Sequence, residues 1–408
     1  MKHKLIPVIL FTFSCTAISA QNNRRDKAEY IPYQNGFFEQ IQKENGTTYP
    51  ASAPKKVFKM DFSSMDLPKS ANEFKTAWSD KPESQGLTNT CWSFSTTSFY
   101  ESEIFRLSGQ KINLSQMYIV YWEFVEKARE FVRTRGTSEF GEGSETNAPK
   151  RMMKMYGIVP YESYPGNTKD KVFYDHVKMF AEMQAYMQNV KTNNAWNEEA
   201  VIATIKSMMH HYIGEVPKSV TLNGKTMSPQ EYLKNVTKLN PDDYIDFMSL
   251  MEQPYWKQTL YNAPDNWWRS TDYYNVPLDD FMGVIKGAVK AGYSIAIGGD
   301  VSESGMDSYK EVAVVPTYDI PSEYIDQYAR QMRFSNKSTT DDHAIHLVGY
   351  LEKPNGMWFL IKDSGSGAFN GENKGYYFFH EDYVKLKMMT ITLHKDAAKE
   401  ILTKFNKQ

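Results

Sequence analysis

The chain has 408 residues, 41% of them hydrophobic and 14% aromatic, enough to bury a large core and more than one average domain needs. Its formal net charge is −2, from 47 basic and 49 acidic residues spread along the chain. That balance excludes the electrostatic footprint of a nucleic-acid or anionic-membrane binder, and no run of about 18 apolar residues beyond the N-terminus predicts a membrane span.

The first twenty residues read as a secretory signal. Lys2 and Lys4 open it, Leu5 to Phe13 is apolar, and small residues lead through Ser19-Ala20 to polar Gln21-Asn22-Asn23. The alternatives are a buried N-terminal helix or a lipid on Cys15. The apolar-then-small order fits cleavage better than a helix, and Thr12-Phe13-Ser14 lacks the small aliphatic residues of a lipidation site. Export to the periplasm or outside the cell is therefore expected, into oxidising surroundings. Residues 21–83 are polar, with scattered Pro and Lys, and read as an extended arm with little core of its own.

At Cys91 the texture changes. Cys91 to Leu107 has no Pro or Gly, Ser108-Gly109 ends it, and the spacing of Phe94, Ser98, Glu101 and Phe105 predicts a largely buried helix capped by Thr90 or Asn89. Leu114-Ser115 introduces a second helix to about Phe131, so residues 84–168 read as a helical lobe. From about 171 to 260 the pattern is helical again, with Phe173, Val177, Phe180 and Val190 on one stripe and Val201, Ile205 and Tyr212 on another. Residues 169–275 are thus expected to form a helical insertion. His210-His211 falls within the second stripe and reads as core rather than as a metal site; Trp267-Trp268 reads as packing. After 276 the period changes. Asp279 or Asp280 caps a helix through Lys290, and short β-type runs follow at 293–299, 343–351, 358–362, 376–379 and 388–393. Residues 276–395 read as an antiparallel sheet lobe and 396–408 as a C-terminal tail, giving an α+β plan in two lobes without internal repeats.

With the leader set aside, Cys91 is the only cysteine. It has no partner for a disulfide, and no Cys-x-x-Cys supports thiol–disulfide exchange. A packed hydrophobe or a nucleophile remains. As the first residue of a helix it meets free N–H groups and a dipole that favour a thiolate, and a partner imidazole would complete the ion pair that attacks a carbonyl. Gln85, six residues upstream in a turn containing Gly86, can place its side-chain amide near the Cys91 N–H. Two such donors make an oxyanion hole. If Asp342-His343-Ala344 and Ile361-Lys362-Asp363 lie on adjacent strands joined at Pro354-Asn355-Gly356, His343 and Asp363 meet at one end. A carboxylate on Nδ1–H would then leave Nε2 toward the sulfur. His346 lies three residues on, and strand alternation turns it to the opposite face.

These residues carry a family resemblance. Gln85…Cys91-Trp92-Ser93-Phe94, Asp342-His343-Ala344 and Ile361-Lys362-Asp363-Ser364 resemble the papain-like cysteine peptidases, in pattern and in order. Ser228-Pro229-Gln230-Glu231-Tyr232, Asn275-Val276-Pro277-Leu278 and Gly298-Gly299-Asp300-Val301 are similar to the bleomycin hydrolase and aminopeptidase C branch. The resemblance implies a papain-like two-lobe fold, a helical lobe plus an antiparallel β-barrel-like lobe, with a large helical insertion. It implies a peptide substrate, Cys91 as nucleophile, His343 as general base and acid, Asp363 as its orienting partner and Gln85 as oxyanion donor. Gly143 and Ala344 would border the pocket for the substrate's second residue. The branch is one of aminopeptidases in hexameric cages, so a homohexamer is implied, with the chain's own C-terminus in the cleft. The chemistry needs no metal or cofactor. Asp363 stands where the family usually has Asn, Gly365 replaces a Trp that shields the pair, with Phe369 as a substitute cover, and the chain stops early, at Gln408. An endopeptidase of the same fold and a catalytically drifted peptide-binding homologue are the competing readings.

Overall fold

A computed structural model describes residues 25–47, 55–167 and 171–405; the leader, Cys15 and Gln408 lie outside the described residues. Two cores organise the chain. In the first, helices Cys91–Ser108, Gln116–Arg133, Ala148–Tyr156, Val177–Thr192 and Glu198–Ile213 pack together. The Cys91 helix is buried without a break from Trp92 to Ile104. Its small Ser and Thr side chains let neighbours close in, and several pair with facing carbonyls: Ser93 Oγ donates to Gln116 O at 2.9 Å and Thr96 Oγ1 to Thr146 O at 3.2 Å. Ser115 caps the following helix, its Oγ accepting from Tyr118 N at 3.0 Å.

The second core lies against a sheet of eleven strands. From one edge the order is Met306–Asp307, Val312–Ala313, Tyr376–His380, Gly356–Lys362, His343–Lys353, Ile295–Gly299, Met388–His394, Tyr244–Met248, Tyr273–Asn275 and Lys257–Thr259, with Lys75–Thr76 added to His343–Lys353. Two pairs are parallel, Val312–Ala313 with Tyr376–His380 and Tyr244–Met248 with Tyr273–Asn275; the others are antiparallel. Along the His343 strand, Ile345 and Leu347 enter the sheet core while Ala344 joins the helical core. The two lobes meet where that strand crosses the Cys91 helix.

Three segments differ from their sequence reading. The long helices after 171 end at Ile213, short helical turns follow at Pro229–Tyr232 and Leu233–Thr237, and Tyr244–Met248, Lys257–Thr259 and Tyr273–Asn275 are strands of the main sheet. Tyr244-Ile245-Asp246-Phe247-Met248 is a five-residue run covered on both faces, and periodicity alone does not separate such a run from a buried helix turn. The arm before residue 83 is more ordered than expected: strands Ala28–Pro32 and Lys56–Met60 pair, helix Gly36–Glu44 lies between them, and Met60, Phe62 and Phe74 form a small core with Trp358 and Phe378. Helix Leu278–Lys290 starts at Pro277 with no side-chain cap; Asp279 and Asp280 sit in its first turn, where they favour the dipole, and Asp280 also pairs with Lys404 at 2.6 Å. Among the described residues no helix is long and apolar enough to cross a membrane.

Candidate active site

Cys91 is the first residue of its helix and is partly exposed. Neither expected cap forms. Thr90 Oγ1 pairs with Thr88 Oγ1 at 2.6 Å and Asn89 Nδ2 donates to Glu142 Oε2 at 2.9 Å, so no side chain occupies the helix N-terminus at the thiol. The preceding turn is fixed by Gly86. Its φ is +64°, and a Cβ there would lie 2.3 Å from Tyr174 O, so only glycine fits. Leu87 N–H donates to the same carbonyl at 2.8 Å.

That turn sets Gln85, whose side chain is buried. Its Oε1 accepts from Ser364 Oγ at 2.7 Å, which makes Nε2 the free end; Nε2 donates one N–H to Thr88 O at 2.7 Å and keeps its second. Gln85 N–H also donates to Ser364 O at 2.9 Å. Two hydrogen bonds therefore bind the turn before Cys91 to the residue after Asp363, and Ser364 is a positioning residue that motif reading passed over.

His343 opens its strand, and its Nε2 lies 2.8 Å from Asp363 Oδ1. The sequence reading had placed the carboxylate on Nδ1. The register explains the difference: His346 is paired with Lys362, so Asp363 stands past the last paired position. Its carboxylate meets the far end of the ring, and Nδ1 is left for the sulfur. Burial alone would lower the pKa of His343, but the charges of Asp363 and Cys91, and the hydrogen bonds they accept from the ring, raise it well above its ordinary value. The same Asp363 oxygen accepts from Gly365 N–H at 2.7 Å. Asp363 is only 5% exposed despite Gly365. Phe369 is engaged elsewhere, stacked on Phe37 of the arm at 4.8 Å. His346 takes no part: it is fully buried, pairs with Ser98 Oγ through Nδ1 at 2.9 Å, and is held well below its ordinary pKa by burial and by Lys362.

Beside Cys91 lies a small cavity whose lining includes Cys91, Ser144, Glu145, Asp341, His343 and Ala344. Gly143 itself does not line the cavity but lies against Asp265, which does. A Cβ at Gly143 would lie 2.4 Å from Asp265 Oδ2, so the missing side chain admits that carboxylate, which also lines the cavity. Lys127 Nζ holds the loop from behind by donating to Gly141 O at 2.8 Å and to Gly143 O. On the other side of His343 an open groove runs past Asp363 and Gly365 to Tyr33 and Lys59 of the arm. His210 is not part of either; its Nε2 pairs with Tyr121 Oη at 2.8 Å. Trp267 packs as expected, beneath Arg151 and with Nε1 donating to Glu123 Oε1 at 2.7 Å.

A helix-borne thiol, an imidazole shared between it and a carboxylate, and a clamped amide meeting between two lobes define a thiol hydrolase. The chain belongs to the Peptidase C1-like family, whose model matches residues 142–408, a span that holds His343 and Asp363 and begins after Cys91. It is a papain-like cysteine peptidase. Over 369 residues it is 20% identical to Aminopeptidase C of Streptococcus thermophilus, covering 78% of this chain and 81% of that one. The crystal structure of PepW from Lactobacillus rhamnosis shares the fold, with a TM-score of 0.65 at 17% identity over 84% of this chain and 85% of that one.

Proposed function

We propose that the chain is an exported aminopeptidase that cleaves residues from the N-terminus of peptides through a Cys91 thioester. The observation that carries the reading is the placement of His343 between Asp363 and Cys91. In this mechanism Cys91 Sγ, as thiolate, attacks the scissile carbonyl carbon. The oxyanion is received by the Cys91 N–H and the remaining Gln85 N–H. His343 Nδ1 gives its proton to the leaving amine as the C–N bond breaks. Water then attacks the thioester, His343 takes its proton, and the acid departs as the thiolate re-forms. Asp363 holds the ring through Nε2 throughout. Ala344 and the Gly143 loop bound the acyl side of the cleft.

Aminopeptidase action is favoured over endopeptidase action by the likeness to a relative named Aminopeptidase C and by the small size of the cavity beside Cys91. Export rests on the order of residues 1–23, with the periplasm or the exterior as destination, and a homohexamer is the assembly proposed by family likeness. The test treats the mature protein with a thiol-directed epoxide, locates the adduct by mass spectrometry, and compares reporters with free and blocked N-termini. Adduct at Cys91 with turnover of free-amine reporters is the expected result. No adduct and no turnover of any reporter would leave a peptide-binding homologue as the reading.

Gln85→Ala is expected to lower kcat by at least about 10²-fold with little change in KM, because one oxyanion donor is lost. Steady-state kinetics read this directly. Ser364→Ala should lower kcat less, since the amide stays tethered to Thr88 O.

A further inference from the structure

The cavity beside Cys91 is acidic. Glu145, Asp265, Asp341 and Asp342 all line it, and they come from three separate parts of the chain. Glu145 is only 3% exposed, and its Oε1 has no hydrogen-bond partner among the described residues. Leaving a buried carboxylate oxygen unpaired is costly unless something arrives to pair it. Asp341 accepts from the buried Tyr261 hydroxyl at 2.8 Å and is hydrogen bonded to Glu145. Two glycines keep the walls back. Asp265 rests on Gly143, and a Cβ at Gly298 would come within 2.8 Å of Thr390 Oγ1 and 3.4 Å of Asp341 Oδ1.

We propose that Glu145, Asp341 and Asp265 form a receptor for a substrate ammonium group, and that the group they hold is the free α-amine of the peptide. The assignment rests on the peptidase reading of Cys91 and extends it to substrate class. Charge decides the ligand type: the walls repel a carboxylate or phosphate, and an apolar side chain would strip water from the carboxylates without replacing it. Among the described residues no group of three or more His, Cys, Asp or Glu side chains is arranged to hold a metal ion. Reach decides which amine. The α-nitrogen is separated from the scissile carbonyl carbon by one atom, and the cavity that holds the carboxylates is lined by Cys91 itself. The cavity is also small, with space for about one water-sized group, room for an ammonium and not for a continuing chain. Lys127 offsets part of the charge, but its Nζ is bound to Gly141 O and Gly143 O on the far side of the loop.

Burial, and then the charges of Asp341 and Asp265, raise Glu145 well above the carboxylate range, and burial raises Asp341 as well. An ammonium entering the cavity stabilises the ionised carboxylates through charge-assisted hydrogen bonds.

The test compares one aminoacyl reporter with a free amine, its N-acetyl derivative, and N-acetylated dipeptidyl reporters carrying Lys or norleucine before the cleaved residue. In Glu145→Gln and Asp341→Asn the free-amine preference, the ratio of kcat/KM for free over acetylated reporter, is expected to fall about 10- to 100-fold. An unchanged ratio, or equal loss on every reporter, would overturn the receptor. A loss confined to the Lys reporter would overturn the α-amine assignment and leave a receptor for a basic side chain. Calorimetric binding of a free-amine against an N-acetylated peptide amide to Cys91→Ala protein does not depend on turnover. If that preference is present and Glu145→Gln abolishes it while no reporter is cleaved by the unmutated protein, the peptidase reading fails and the receptor stands. Glu145→Asp, which keeps the charge, should restore part of the preference.

Discussion

Cys91→Ala is expected to abolish peptide hydrolysis while the protein remains folded. Removing the nucleophile of a thiol or serine hydrolase lowers kcat on the order of 10⁶-fold, because the remaining groups act only as a unit. The neighbouring hydroxyls among the described residues are committed elsewhere, Ser93 Oγ to Gln116 O and Ser144 Oγ to Glu123 Oε1, and His343 is held by Asp363. The side chain is partly exposed at the helix start, so a small truncation costs little packing. Progress curves on a free-amine reporter, together with a thermal midpoint close to that of the parent, check both halves. Turnover within tenfold of the parent would mean that another group attacks the carbonyl.

Asp363 carries the second large effect, and two substitutions separate its roles. Asp363→Ala leaves the His343 Nε2–H and the Gly365 N–H without their shared acceptor, and kcat is expected to fall on the order of 10³-fold. Asp363→Asn keeps an acceptor oxygen and removes the charge, so activity should persist. Its pH profile should move in one direction. The working form carries a protonated His343, and the alkaline limb reports loss of that proton. Asp363 is the largest of the influences that raise His343. Without its charge the proton leaves at lower pH, so the alkaline limb moves down, on the order of one unit. A limb that stays in place, or a folded Asp363→Asn protein with no activity, would show that the carboxylate does more than hold and charge the ring.

The parts of the site that motif and spacing could reach are those whose geometry is local. Cys91 follows from its solitude and its place before a Pro-free helix, and Gln85 from its distance within one turn. His343 over His346 follows from strand alternation, which puts Ala344 and Ile345 in different cores. The ring nitrogen that meets Asp363 was not legible, since it depends on a register that ends at Lys362. Nor was the acidic cavity. Glu145, Asp265 and Asp341 are joined by no spacing rule, and only the packing of one loop on Gly143 brings Asp265 to the others. The strands at Tyr244–Met248 and Tyr273–Asn275 were hidden for a related reason: short runs covered on both faces lose the alternation that marks a strand.

The N-terminal arm has a consequence for the order of folding. Asp26 and Thr317 exchange hydrogen bonds of 2.8 Å, Asn35 Nδ2 donates to Ser366 Oγ at 3.0 Å, and Phe37 N donates to Asn370 Oδ1 at 2.9 Å. These partners are separated by 291 to 333 residues, so the first residues made must wait for nearly the last before they can dock. Gln85 waits in the same way for Ser364, 279 residues later. During synthesis at about 5–20 residues per second, that interval lasts tens of seconds or less. The helical lobe is free to condense early from local contacts, while the amide beside Cys91 is locked only when the sheet closes. An emerging chain therefore holds its thiol before it holds the machinery to use it.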